Sequence, residues 1–194
     1  MTPMVALLRS VNVGGRNRVP MAELRALAES LGFGSVQTYV QSGNLVFTGS
    51  GSAASVARSL EEGIATAFGL DVAVVVRKAD QLARILGSNP FAVPGVDPKT
   101  VHVTFLAGQP ASERAEELIR TAAGAGPDRT FGDDRFELAG TEVFLHCPGG
   151  YGVTKLNNAF FERRTGVAAT TRNWRTVTTL GTMAGLEIAD HATG

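Results

Sequence analysis

The chain has 194 residues, 44% of them hydrophobic and 19% charged, with a formal net charge of +0 and a pI near 6.8. That length holds one large domain or two small ones with a working core. A zero net charge excludes a protein that grips nucleic acid by bulk positive charge, although a local patch is compatible with it.

Met4–Leu8 reads as a buried strand, too short for a signal or membrane span. Arg9-Ser10-Val11-Asn12-Val13-Gly14-Gly15-Arg16-Asn17-Arg18 follows it as a polar glycine loop. Met21, Leu24, Leu27, Ala28 and Leu31 recur at helical spacing, opened by Pro20 and stopped by Gly32. Val36–Val40 and Leu45–Phe47 read as strands flanking the turn Gln41-Ser42-Gly43-Asn44. Val56, Leu60, Ile64 and Phe68 share a helical face ending at Gly69, and Val72–Val76 is the next strand.

This β-α-β-β-α-β order is that of the ferredoxin-like split unit, in which strands one and three are neighbours. The order predicts that the loop Asn12–Arg18 and the hairpin Gln41–Asn44 lie side by side at one sheet end. A short helix at Leu82–Leu86 then leads into a turn-rich stretch holding Pro90, Pro94 and Pro98, the expected domain junction.

Val101–Leu106 reads as a strand and Ser112–Ala123 as a helix with an acidic first turn. Short strands are expected near Thr130, Phe136 and Val143–His146, then a Gly-rich loop and two C-terminal helices. The tail after Ala189 reads as frayed. The fold class is α+β, with two ferredoxin-like units over 1–88 and 89–194 and the extra C-terminal helices on the second.

Cys147 is the only cysteine, which rules out an intrachain disulfide and suits a reducing, cytoplasmic setting. Beside His146 it lacks any metal-ligand spacing, so no metal site is expected, and it reads as a small core residue. Asp133-Asp134 reads as a turn. No paired carboxylates or nucleophile motif mark a catalytic residue, and no cofactor fingerprint is present.

The binding chemistry is concentrated in polar loops. Gly14 and Gly15 let a backbone approach a ligand, and the following helix start offers N–H groups to an anion. Gly149-Gly150-Tyr151-Gly152-Val153-Thr154-Lys155 repeats that layout, with Thr154 as the expected N-cap and Lys155 as an anion partner. Thr171-Arg172-Asn173-Trp174-Arg175-Thr176 places Trp174 as a core anchor, with Arg172 and Asn173 ahead of it for a phosphate or carboxylate.

Taken together, Arg9–Gly15, Val19–Leu24, Tyr39–Asn44, Lys155-Leu156 and Thr171–Thr176 resemble the bacterial family catalogued as domain of unknown function 1697. The resemblance runs through nearly the whole chain. It implies two ferredoxin-like domains and no established activity. Its signature positions correspond here to Arg9, Asn12, Gly14, Gly15, Asn17, Ser42, Gly43, Asn44, Lys155, Arg172 and Asn173. Thr154 stands where the family often has Ser, which keeps the hydroxyl, and Cys147 is not a signature residue.

The resulting expectation is a composite site for a small anionic, phosphate-bearing ligand such as a nucleotide or sugar phosphate. Arg9, Lys155 and Arg172 would neutralise charge, the glycines would admit the ligand, and Asn12, Asn44 and Asn173 would orient it. An RNA-binding module is the alternative, opposed by the lack of aromatics on Met4–Leu8 and the single Phe47 on the third strand. A protein-interaction role without catalysis, with the loops maintaining an interface, is the other.

Overall fold

The computed structural model describes residues 1–15, 17–124 and 131–188. Arg16, the strand expected near Thr130 and the tail from Ala189 lie outside the described residues. The chain divides into two compact units, Met1–Leu86 with Thr179–Ile188, and Gly87–Thr178.

In the first unit, β1 (Thr2–Leu8), α1 (Met21–Ser30), β2 (Gly34–Thr38), β3 (Asn44–Gly49), α2 (Ala53–Phe68) and β4 (Val74–Lys78) follow one another, then α3 (Ala79–Ser88) begins. The antiparallel sheet has the order β2-β3-β1-β4, so β1 and β3 are neighbours, as the element order predicts. Met4, Ala6 and Leu8 alternate onto the face that meets Leu24 of α1 and Val56, Leu60 and Ile64 of α2. Val5, Leu7, Val46 and Val75 point the other way and are buried as well. α2 starts and stops where chain chemistry dictates: Ser52 caps it by accepting the Ser55 N–H at 3.1 Å, and Gly69 ends it.

The second unit holds β5 (Val101–Leu106), α4 (Ser112–Ala122), β6 (Arg135–Ala139), β7 (Glu142–His146), α5 (Asn158–Thr165), β8 (Ala169–Asn173) and the start of α6 (Trp174–Met183). Its antiparallel sheet, β6-β7-β5-β8, repeats the order of the first. The expected pair of C-terminal helices is therefore a helix, a strand and a helix. β8 is polar (Ala169-Thr170-Thr171-Arg172-Asn173), and its inward hydroxyl is satisfied by Thr104, whose Oγ lies 2.7 Å from that of Thr171.

Specific bonds recur at equivalent places in the two units. The Leu8 and Leu106 N–H groups donate across the sheet to Gly43 and Thr141, and those of Arg9 and Ala107 donate to Ala73 and Ala168. The buried Arg77 of β4 and Arg172 of β8 stand at equivalent places, each donating to the carbonyl of the residue before it at 2.9 Å. Among the described residues, no helix is long and apolar enough to cross a membrane.

Candidate functional site

The loop after β1 meets the β2–β3 hairpin. Asn12 makes the junction: its side-chain amide donates to the Val19 carbonyl at 2.9 Å and the Gln41 carbonyl at 2.8 Å. Its Oδ1 accepts the Val19 N–H at 2.9 Å, and its own N–H donates to Asn17. Asn17 in turn donates to the Ser10 carbonyl at 3.3 Å. Asn12, expected to orient a ligand, and Asn17, a signature position, spend their side chains holding the loop closed.

On the hairpin side, Asn44 is fully buried and donates to the Tyr39 carbonyl and the Ser42 hydroxyl, each at 3.0 Å. Gly43 has φ +71° and no room for a side chain: a Cβ would stand 2.4 Å from Val11 Cγ2 and 2.7 Å from Leu8 Cβ. Its glycine is explained by packing against the first loop. Ser42 remains exposed at the turn.

What stays open is the tip. Gly14 (φ +58°) and Gly15 (φ +75°) are exposed, with nothing within 4 Å of where a Cβ would be. Ser10, Asn12, Asn17 and Val40 also have positive φ, so unusual backbone is concentrated in these two loops. Arg18 is exposed and forms no ion pair with a described residue. Arg9 is half-buried, its guanidinium 3.3 Å from the Ser10 hydroxyl. Pro20 opens α1 with no side-chain cap on its first turn.

The remaining expected residues belong to the second unit. Asn173 accepts the Thr176 N–H at 2.7 Å, which caps α6. Arg172 is buried in β8, donating to the Thr170 hydroxyl and Thr171 carbonyl, and burial lowers its pKa to about 10. Lys155 is exposed. The N-cap of α5 is Asn157, which accepts the Phe160 N–H at 3.0 Å. Thr154, expected there, instead donates to Asp134 at 2.5 Å and accepts the Leu156 N–H at 3.1 Å, pinning its loop. Cys147 is fully buried, and desolvation lifts its thiol pKa to about 11.

Two features escaped the sequence reading. A groove of about 500 Å³ between α4 and α5 is lined by Glu113, Arg114, Glu117, Arg163 and Arg164. Its charges are largely engaged: Arg164 pairs with Glu117 at 2.8 Å, and Arg114 donates to the carbonyls of Arg163 and Arg164. The basic pair Arg163-Arg164 at the end of α5 is the signal the sequence offers. The second is the packing of Tyr151 on His102, with ring centroids 4.8 Å apart and planes 27° from parallel. Nothing in the spacing of those residues reveals it. Among the described residues no cluster of His, Cys, Asp or Glu has the makings of a metal site.

The chain is similar in fold to a conserved bacterial protein from Streptococcus pneumoniae, with a TM-score of 0.70 and 24% identity over 94% of this chain and 98% of that one. No curated protein matches it significantly. The model of the family described as "Protein of unknown function (DUF1697)" matches residues 1–144. The chain belongs to that family.

Proposed function

We propose that the first unit binds a small anionic, phosphate-bearing ligand at the tip of the loop between β1 and α1. The observation that carries this reading is the division of labour in that loop. Asn12 fixes its base with three side-chain hydrogen bonds, while the Gly14-Gly15 backbone stays exposed and Arg18, later in the same loop, is exposed and forms no ion pair with a described residue. Gly14 and Gly15 form an exposed glycine turn, the kind of backbone whose N–H groups can be offered to an anion. A rigid base under an open tip also avoids the ordering cost of a floppy loop.

Arg18 supplies charge, and the uncapped first turn of α1 supplies further N–H donors near the tip. The role is binding: the loop contains no carboxylate, histidine or thiol to move a proton. RNA stacking is poorly served, because β1 carries no aromatic residue and Phe47 of β3 is buried in the helix-facing core.

A thermal-shift panel of pyrophosphate, nucleotides, sugar phosphates and short RNAs tests the reading. A ligand at a hundredfold excess over its Kd stabilises by about 2.7 kcal/mol. Stabilisation by a phosphate compound that is lost in Arg18→Ala supports the site. Stabilisation by none of them, or stabilisation untouched by the mutation, removes it.

A further inference from the structure

The seam between the β1–α1 loop and the β2–β3 hairpin carries two exposed apolar side chains. Asn12 and Gln41 are joined across that seam by the 2.8 Å bond from the Asn12 amide. Val13 follows Asn12 in the chain, and Val40 precedes Gln41. Val13 is 63% exposed and Val40 51%, and neither is part of the helix-facing core.

A single exposed valine is ordinary. Val40 is not, because its φ is +49°. The two methyl groups on its Cβ crowd the backbone in that left-handed conformation, which Gly or Asn adopts at lower cost. The fold holds Val40 there from both sides. Tyr39 donates to the carbonyl of Asn44 at 3.1 Å and accepts its side-chain amide at 3.0 Å, while Asn12 fixes the Gln41 carbonyl. Val40 thus bears a strained backbone and a wet apolar side chain together, with little packing in return. Strained positions of this kind concentrate where a protein grips a ligand.

We infer that Val13 and Val40 are the apolar contacts of the anion site proposed above, and that its ligand is a nucleotide rather than a bare or sugar-borne phosphate. The inference rests on that reading of the tip. Gly14 and Gly15 follow Val13 directly, so a phosphate at their N–H groups has the valine seam beside it. Ligand sites combine a few placed polar groups with apolar walls, and a nucleobase has a flat face that aliphatic side chains cover well. A sugar brings hydroxyls instead, which valines cannot satisfy.

Calorimetric titration of the full-length chain with adenosine monophosphate, ribose 5-phosphate and pyrophosphate tests this, because the first two differ only by the base. Adenosine monophosphate binds about tenfold or more tighter than ribose 5-phosphate, the scale expected from covering both valines with a ring. Val40→Asn suits the left-handed backbone and removes the apolar surface. It narrows that gap by about threefold or more, while the melting temperature holds or rises. Equal affinities for the two monophosphates, or a gap untouched by Val40→Asn, overturn the nucleotide assignment even where pyrophosphate binds. A melting temperature several degrees lower in Val40→Asn assigns the valine to the fold and overturns it as well. If all three compounds fail to bind, the anion site itself is lost, and the nucleotide with it.

Discussion

Glu61 and Glu162 perform the same task in the two units. Glu61, on α2, accepts the Val74 N–H at the start of β4 at 2.8 Å, and Glu162, on α5, accepts the Ala169 N–H at the start of β8 at 3.0 Å. In each case a helix carboxylate satisfies the first donor of the last strand in the sheet, where an unpaired N–H would be costly. Replacing either glutamate by Ala removes a charge-assisted bond and lowers stability by about 1–2 kcal/mol, while Gln retains most of it. Urea midpoints of the four variants check this, and equal losses from both sites are the expected mark of the repeated design.

Gly43 and Gly14 separate packing from conformation. Gly43→Ala forces a positive φ and also drives a methyl into Val11 and Leu8, for a loss of about 2–4 kcal/mol. Gly14→Ala meets open space and suffers only the left-handed conformation, about 1 kcal/mol. Chemical denaturation of the two variants reads the difference directly.

Asn12→Asp is nearly isosteric, yet it is expected to be worse than its size suggests. It keeps the acceptor for the Val19 N–H but turns a carboxylate oxygen toward the carbonyls of Val19 and Gln41, which now receive donors. A loss of about 1–3 kcal/mol follows from the unsatisfied carbonyls. Protonating the new carboxylate at low pH restores one donor, so the deficit relative to wild type shrinks as pH falls.

His102 makes the second unit sensitive to acid. Its burial disfavours the imidazolium and lowers its pKa below the usual 6.5. The unfolded chain therefore takes up a proton first as pH falls. Stability from this group is complete above pH 6.5 and is lost as pH drops toward the depressed native value. In His102→Gln the urea midpoint falls less steeply between pH 7.5 and 5 than in wild type, whatever its absolute stability.

The helices and apolar strands were legible because their signals are local. Pro20, Gly69 and the spacing of Leu60 and Ile64 need only chain geometry to read. The meeting of the first loop with the hairpin was legible too, since strand order alone brings Asn12 and Gln41 together. β8 was not, because its pattern is Thr and Arg rather than alternating apolar residues, and its polar atoms find partners only across the sheet.

The roles of the asparagines were hidden for a related reason. A sequence shows that Asn12, Asn44 and Asn173 carry amides, but an amide serves a ligand or its own backbone equally well. Here all three serve the backbone. That shifts the weight of the candidate site from the side chains to the glycine backbone they support.

The most direct measurement is a titration of ¹⁵N-labelled protein with pyrophosphate, following the backbone amides. Binding at the open tip moves the Gly14 and Gly15 resonances most, with Arg18 close behind, and the shifts saturate together and vanish in Arg18→Ala. Shifts that leave the two glycines in place while other loops respond would contradict the account.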